Sequence, residues 1–261
     1  MAQTPDLSIV IPAFNEESRI GPTVREMVGY CRSAGRAFEL ILVDDGSRDG
    51  TTSAGRSLAE DFPELRVIRL ASNHGKGYAV RTGVINALGS TVLFADADGS
   101  TPISEIERLE AALASGADLA VGSRELRADG VQVQAKLYRR FMGRIFHRMV
   151  RWLADVGVTD TQCGFKLFRA PVAHDLFSRM VMNGYSFDVE VLLMARRRGY
   201  RIAEVPVNWV HQPGSKVRLT RDSLRMAADL FRIRAHWLSG EYEVPHVAPW
   251  AHGIKAARHV P

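Results

Sequence analysis

Five short apolar runs punctuate the first half of the chain at near-regular intervals: LSIVIP (7–12), FELILVD (38–44), LRVIRL (65–70), TVLFAD (91–96) and ADLAVG (117–122). Between them lie stretches of helical period at about 16–34, 50–61, 75–88 and 102–115. Strands this uniformly apolar have no solvent face, so the alternation predicts an α/β fold with a parallel sheet covered on both sides. The helix starts agree. Asp49-Gly50-Thr51 precedes one helix, and Ser100-Thr101-Pro102 sets a capping residue and a proline before another. Beyond residue 123 the pattern changes to a long basic amphipathic segment (135–155), a polar stretch GVTDTQCGFKLFR (157–169) and a helix around 171–180. A second helix, YSFDVEVLLMARRRGY (185–200), leads to a proline-interrupted strand, RIAEVPVNWVH (201–211), and a final helix over about 219–238. Residues 1–239 are thus expected to form one domain, and 240–261 a weakly ordered tail.

Composition narrows what such a domain does. With 46% hydrophobic and 24% charged residues the chain is an ordinary globular protein with a sizeable core. No apolar stretch reaches bilayer-spanning length, and MAQTPDLSIVIP lacks the charged-then-apolar order of a signal peptide, so a cytoplasmic location is expected. Cys31 and Cys163 match no zinc or redox spacing and are expected to be reduced thiols. The net charge of +5 is concentrated in KLYRRFMGRIFHRMVR (136–151) and VRLTRDSLRMAADLFRIR (217–234). Such patches attract phosphates, a lipid surface or nucleic acid. Nucleic acid is not expected, because interleaved aromatic platforms and a known binding module are both missing.

Open parallel sheets bind ligands beyond the carboxyl ends of their strands. Three runs end there in polar groups: Pro12-Ala13-Phe14-Asn15-Glu16, Asp44-Asp45-Gly46-Ser47 and Asp96-Ala97-Asp98. On extended chain, residues two apart point to one side, so Asp96 and Asp98 converge. Two carboxylates in a shielded cleft drive one pKa up unless a cation joins them. Hard oxygen ligands suit Mg²⁺ or Mn²⁺, and magnesium needs few protein carboxylates when substrate phosphates supply the rest. The competing reading is that both aspartates merely cap the turn that follows. Neither GxGxxG nor GxxxxGK[ST] occurs, which argues against dinucleotide enzymes and P-loop NTPases.

The blocks LSIVIPAFNEESRI, LILVDDGSRDGT, NHGKGYAVRTGV, FADADGS, VGSR, DTQCGFKLFR and EVPVNWVHQPGSKV occur in that order. Together they resemble the family 2 inverting glycosyltransferases of GT-A fold, in the branch of polyprenyl- or dolichyl-phosphate hexose synthases. The resemblance covers about residues 7–235 and implies a Rossmann-like, mostly parallel sheet with flanking helices and C-terminal amphipathic helices. It implies a nucleotide-sugar donor, a polyprenyl-phosphate acceptor, a donor half over about 7–122 and an acceptor- and membrane-facing half over about 123–239. By the same resemblance Pro12, Ala13, Phe14 and Glu16 line the nucleoside pocket, with Asp45 or Asp44 accepting from base or ribose. Asp96 and Asp98, flanking Ala97, hold the metal; relatives place a glutamine where this chain has Ser100. Lys76, between two glycines, approaches the nucleotide, and Arg124 meets phosphate. Arg139 or Arg140 holds the acceptor phosphate, while His211, Ser215 and Lys216 belong to a loop closing over the diphosphate. Asp98, Arg124 and Lys216 are the expected catalytic groups. For Phe14 and Lys76 the plain alternatives are core packing and an exposed loop lysine.

A phosphate monoester loses its second proton near pH 6, so such an acceptor needs no strong base. A sugar hydroxyl acceptor would need one, and Asp188 and Glu190 would be the candidates. Leu137, Phe141, Ile145 and Met149 fall on one helical face ringed by Arg139, Arg140, Arg144, Arg148 and Arg151. The last helix mixes Leu224, Leu230, Phe231 and Trp237 with Arg221, Arg225, Arg232 and Arg234. Either helix would suit peripheral docking on the inner face of a membrane, or a core face with a solvated arginine rim. DADGST and DTQCGFKLF are nearer the glucosyl branch, favouring UDP-glucose. GDP-mannose as donor, or a non-catalytic nucleotide-sugar or lipid-binding module, are the alternatives.

Overall fold

The computed structural model describes residues 4–128, 131–134, 156–212 and 219–243. The basic segment 135–155 with Arg139 and Arg140, the loop residues Ser215 and Lys216, and the tail from 244 onward lie outside the described residues.

The predicted alternation is realised as β1 (Leu7–Ala13), α1 (Glu17–Ser33), β2 (Phe38–Asp44), α2 (Thr51–Asp61), β3 (Leu65–Arg69), α3 (Lys76–Ile85), β4 (Thr91–Ala95), α4 (Ile106–Ala114) and β5 (Leu119–Ser123). The second half adds β6 (Val133–Gln134), β7 (Phe165–Arg169), α5 (Ala170–Arg179), α6 (Phe187–Arg197), β8 (Ile202–Pro206), β9 (Trp209–Val210) and α7 (Leu219–Leu238). Seven strands form one sheet in the order β3-β2-β1-β4-β7-β5-β8. Neighbours run parallel except β7, which is antiparallel to both β4 and β5.

Strand β7 corrects the expectation of a polar stretch up to residue 169. Its second residue, Lys166, is 2% exposed, with Phe94 as its cross-strand partner. Burial of that ammonium is tolerated because Asp188 on α6 pairs with it and the Cys163 carbonyl accepts from it at 2.6 Å. Since β7 lies between β4 and β5, the sheet crosses the boundary between the two expected halves.

Each strand sends alternate side chains to opposite faces. Val10, Ile41, Val43, Val92, Phe94 and Phe168 pack under α3, α5 and α6. Ile9, Ile11, Leu40, Leu42, Leu93 and Leu167 pack under α1, α2 and α4. The proline break expected within 201–211 is real: β8 ends at Pro206, and β9 pairs instead with β6 in a separate two-stranded ribbon. The last described residues are more ordered than a loose tail. Glu241–Glu243 form a 3₁₀ turn, and Tyr242 is only 2% exposed. An aromatic ring packed against Trp237 with its hydroxyl satisfied anchors that turn, and a periodicity reading does not detect it.

Candidate active site

A cleft of about 760 Å³ opens at the carboxyl ends of β1, β2, β4 and β5. Its walls carry Pro12, Ala13, Phe14 and Glu16 from the end of β1 and Asp45 from the end of β2. Lys76 from the start of α3, the Asp96–Asp98 turn with Ser100, and Arg124 after β5 complete it. Eleven residues singled out from sequence therefore meet in one place.

Asp44 does not join them. It is fully buried, accepting from Ser47 N at 2.9 Å and from the Thr52 hydroxyl, and it braces the β2–α2 turn. Between the two candidates left open for the nucleoside, the geometry leaves only Asp45. Asp45 accepts from His74 N, Gly75 N and Asn73 Nδ2, each at 2.8 Å. A carboxylate has about four lone-pair sites, so one remains for a ligand. Burial pushes this carboxyl up, opposed by the His74 and Gly75 amides. His211 also falls outside the lining; its ring lies 6.0 Å from that of Trp209, which does face the cleft.

The acidic turn at the tip of β4 holds opposing charges. Lys76 Nζ stands 2.7 Å from Asp96 Oδ1 and 5.2 Å from the centre of the Phe94 ring. Burial alone would lower the Lys76 ammonium, but Asp96, with Asp188 behind it, holds it raised. Asp98 Oδ1 accepts from Ser100 N at 3.0 Å, so the turn-capping role is real for that residue and coexists with its place on the cleft wall. The Ser100 hydroxyl is buried in the same wall with no hydrogen-bond partner. Among the described residues no cluster of three or more His, Cys, Asp or Glu forms a metal cage. Two carboxylates beside an orphaned hydroxyl fit a divalent cation that draws its other ligands from water and phosphate.

Arg124 is held from behind by Asp160. Its Nε and Nη2 donate to that carboxylate at 2.7 and 2.8 Å, and its backbone N–H adds a third bond at 2.9 Å. Two of the five guanidinium donors are thereby used, leaving the rest of the fork for an anion. Burial raises Asp160, yet Arg124 overrides it and holds the carboxyl at about 2. Trp209 stacks on the guanidinium, 5.6 Å from ring centre to Cζ.

Several cleft residues were not assigned to the site from sequence. Asn73 and His74 sit in the NHGKG block, Gln162 and Gly164 in DTQCGF, and Trp209 in the block after Pro206. Arg19 comes from α1, Tyr185 from the loop just before α6, and Arg225, Met226 and Asp229 from α7. Position within a quoted motif was the available signal for the first five and for Arg19, and Arg225 was marked only as a basic residue of the last helix; nothing local marks Tyr185, Met226 or Asp229. Asp188 and Glu190 do not face the cleft. Asp188 is paired with Lys166, and Glu190 is completely buried. Burial pushes Glu190 up to about 7, against amide donors from Val181 and Met182 and the Tyr242 hydroxyl.

The glycosyl transferase family 2 model matches residues 8–177. A dolichyl-phosphate beta-glucosyltransferase of Drosophila melanogaster is 36% identical over 256 residues, covering 93% of this chain and 78% of that protein. The Homo sapiens protein of the same name is 35% identical over 254 residues, covering 92% and 78%. Among solved structures, glucosyl-3-phosphoglycerate synthase from Mycobacterium tuberculosis with Mn²⁺ and uridine-diphosphate-glucose superposes with a TM-score of 0.63 at 19% identity, covering 92% of this chain and 80% of that one. Mannosyl-3-phosphoglycerate synthase from Rubrobacter xylanophilus gives 0.65 at 19%, covering 95% and 80%. At those identities the two structures establish the GT-A fold alone.

Proposed function

The chain belongs to glycosyl transferase family 2, and on that premise we propose that it moves glucose from UDP-glucose to a dolichyl or related polyprenyl monophosphate, with inversion. One observation carries the reading: a single cleft gathers Asp96 and Asp98 with Lys76 and Arg124. That pattern suits a diphosphate that arrives with a cation and leaves with extra charge. The names of the dolichyl-phosphate relatives support the acceptor and the sugar.

Asp96 and Asp98 would hold Mg²⁺ or Mn²⁺, with the Ser100 hydroxyl beside them. When bound, such an ion supplies Lewis-acid stabilisation to the departing diphosphate. An oxygen of the acceptor phosphate attacks the anomeric carbon from the face opposite the nucleotide. The new C–O bond forms as the bond to the β-phosphate oxygen breaks, and that oxygen keeps the electron pair. Lys76 and Arg124 meet the charge that develops there. The acceptor is already largely a dianion at neutral pH, so no base is needed, and the burial of Asp188 and Glu190 agrees with this. Asp45 and Phe14 would receive the nucleoside. Arg139 or Arg140, Ser215 and Lys216 keep their proposed parts in acceptor and diphosphate binding.

The proposed setting is peripheral, on the cytoplasmic face of a membrane. No helix among the described residues is long and apolar enough to cross one. The test is a panel of radiolabelled UDP- and GDP-hexoses with short-chain dolichyl phosphate, with and without EDTA. 3-Phosphoglycerate serves as a competing acceptor. Lipid-linked glucose formed only with metal supports the reading; mannose transfer, or a phosphoglycerate product, replaces it. Asp98→Ala should lose transfer and metal response while melting within a few degrees of the parent, checked by calorimetry.

A further inference from the structure

We infer that Glu190 is a positioning residue for Lys76, acting through the segment Val181–Gly184, and that Tyr242 locks this arrangement from the C-terminal end. The inference rests on the proposed role of Lys76 in the cleft and adds residues that never touch a ligand.

Glu190 lies on α6 with no solvent exposure. Its Oε1 accepts from Val181 N and its Oε2 from Met182 N, both at 2.9 Å. One carboxylate therefore grips two consecutive amides of a segment that has no strand or helix partner to satisfy them. The same segment is the floor under the Lys76 turn. Tyr78 N donates to Asn183 O at 3.2 Å. A Cβ at Gly75 would stand 2.4 Å from Asn183 O, and one at Gly77 would stand 2.6 Å from Met182 O. Gly75 also holds a φ of 108°, which an L side chain would strain. The two glycines flanking Lys76 are thus fitted to the backbone that Glu190 fixes. Arg81, one helical turn beyond Tyr78, adds a bond from Nη1 to Met180 O at 2.8 Å. Lys76 then reaches Asp96 at 2.7 Å. A continuous path runs from Glu190 through two amides and two backbone contacts to the lysine.

Tyr242 closes the path from outside. Its hydroxyl donates to Glu190 Oε1 at 2.9 Å. Its carbonyl accepts from Arg179 Nη1 at 3.1 Å, which clamps the 241–243 turn over α5. The end of the described chain is thereby tied to a residue on the path, 52 positions away in sequence.

Glu190→Gln keeps the size of the side chain but puts an NH₂ group where one amide N–H now donates. A shift of about 1 Å at a charged group facing the transition state lowers turnover by about tenfold to a hundredfold. The experiment measures kcat and KM for lipid-linked product in the full chain, in Glu190→Gln, Lys76→Met and the double variant. If Glu190 acts through Lys76, its loss lowers kcat with little change in acceptor KM, and adds nothing once Lys76 is gone. Additive losses overturn the inference. A second arm does not depend on activity: hydrogen exchange followed amide by amide. The Tyr78, Val181 and Met182 amides should exchange about tenfold faster in Glu190→Gln, while those of β1 and β2 keep their protection. Unchanged exchange at Tyr78, or a uniform rise across the sheet, overturns it. Should Glu190→Gln fail to fold, Tyr242→Phe removes one bond and should move the same amides less, in the same direction; no change there removes Tyr242 from the proposal. If the parent chain transfers no sugar the proposed reaction falls, and the exchange arm still decides the positioning.

Discussion

Gly164 lies so close to the Asp96 carboxylate that a Cβ built on it would stand 2.0 Å from Oδ2 and 2.2 Å from Cγ. The backbone of β4 is held there too, since Asp96 N donates to Gly164 O at 3.0 Å. Gly164→Ala is expected to push the carboxylate off the cleft wall, lowering transfer by about tenfold or more and weakening Mn²⁺ binding in calorimetric titration. Unaltered Mn²⁺ affinity would separate Asp96 from the cation. Asp160 makes a second residue-level case. Its carboxyl sits at about 2 against an ordinary 3.8, because Arg124 outweighs the burial that raises it. A depressed folded pKa means the folded state resists protonation. Its contribution, on the order of 2 kcal/mol, is full above about pH 5 and fades as pH falls from about 4 toward 2. Asp160→Asn should flatten that acid limb in denaturant titrations. Both residues sit inside the DTQCGF block, which the resemblance stated from the sequence includes without assigning them roles. The neighbouring aspartates Asp44 and Asp45 show the limit: extended chain points them oppositely, yet only the packing of Thr52 and Ser47 decides which one is walled off.

Helix α3 lies directly on the sheet because Gly83 has no side chain. A Cβ there would meet Val10 Cγ1 at 2.3 Å and Val43 Cγ2 at 3.2 Å. Gly83→Ala must lift the helix or push Val10 off its rotamer, costing about 1–3 kcal/mol. The urea midpoint should fall with the slope unchanged. Because α3 also carries Lys76, transfer should fall with it. The elements of the first half were legible from period alone, since strands covered on both faces read as unbroken apolar runs. Strand β7 was not. Its lysine, Lys166, breaks the apolar run, and the partner that makes burial possible, Asp188, lies 22 residues away. Antiparallel insertion between β4 and β5 is a long-range choice that no local window contains. The same holds for the 241–243 turn, which owes its order to Arg179 and Glu190.

Helix α7 links the cleft to the proposed membrane surface. Its inner face packs into the core through Leu230 and Ile233, 2% and 1% exposed. Its outer face shows Phe231 and Leu238, 59% and 76% exposed, beside the exposed Arg232 and Arg234. The core reading of this helix holds for one stripe; the other stripe pairs apolar with basic side chains, and it is there that peripheral docking is proposed. Arg225, Met226 and Asp229 of the same helix line the cleft, and Asp229 is tied to Ser186 at 2.8 Å. At about 1.5 Å per residue, Asp229 and Phe231 are roughly 3 Å apart along the axis. The two residues point to opposite sides of the helix, so in the proposed docking a lipid phosphate would pass around α7 from the Phe231 side to reach the cleft wall at Asp229. Burying two such side chains contributes about 1.5–3 kcal/mol each, and each arginine near anionic lipid about 1 kcal/mol. The double variant Phe231→Ser, Leu238→Ser should bind phosphatidylserine vesicles at least tenfold more weakly in co-sedimentation. Binding by the parent should drop as salt rises past about 0.15 M, where the screening length falls below about 8 Å. The decisive comparison uses two forms of one acceptor. With dolichyl phosphate embedded in vesicles the double variant should lose most of its transfer, while a short-chain acceptor in detergent should be glucosylated at the parental rate. Equal losses with both acceptors would mean these side chains serve the cleft or the fold, and the docking surface would have to be sought elsewhere.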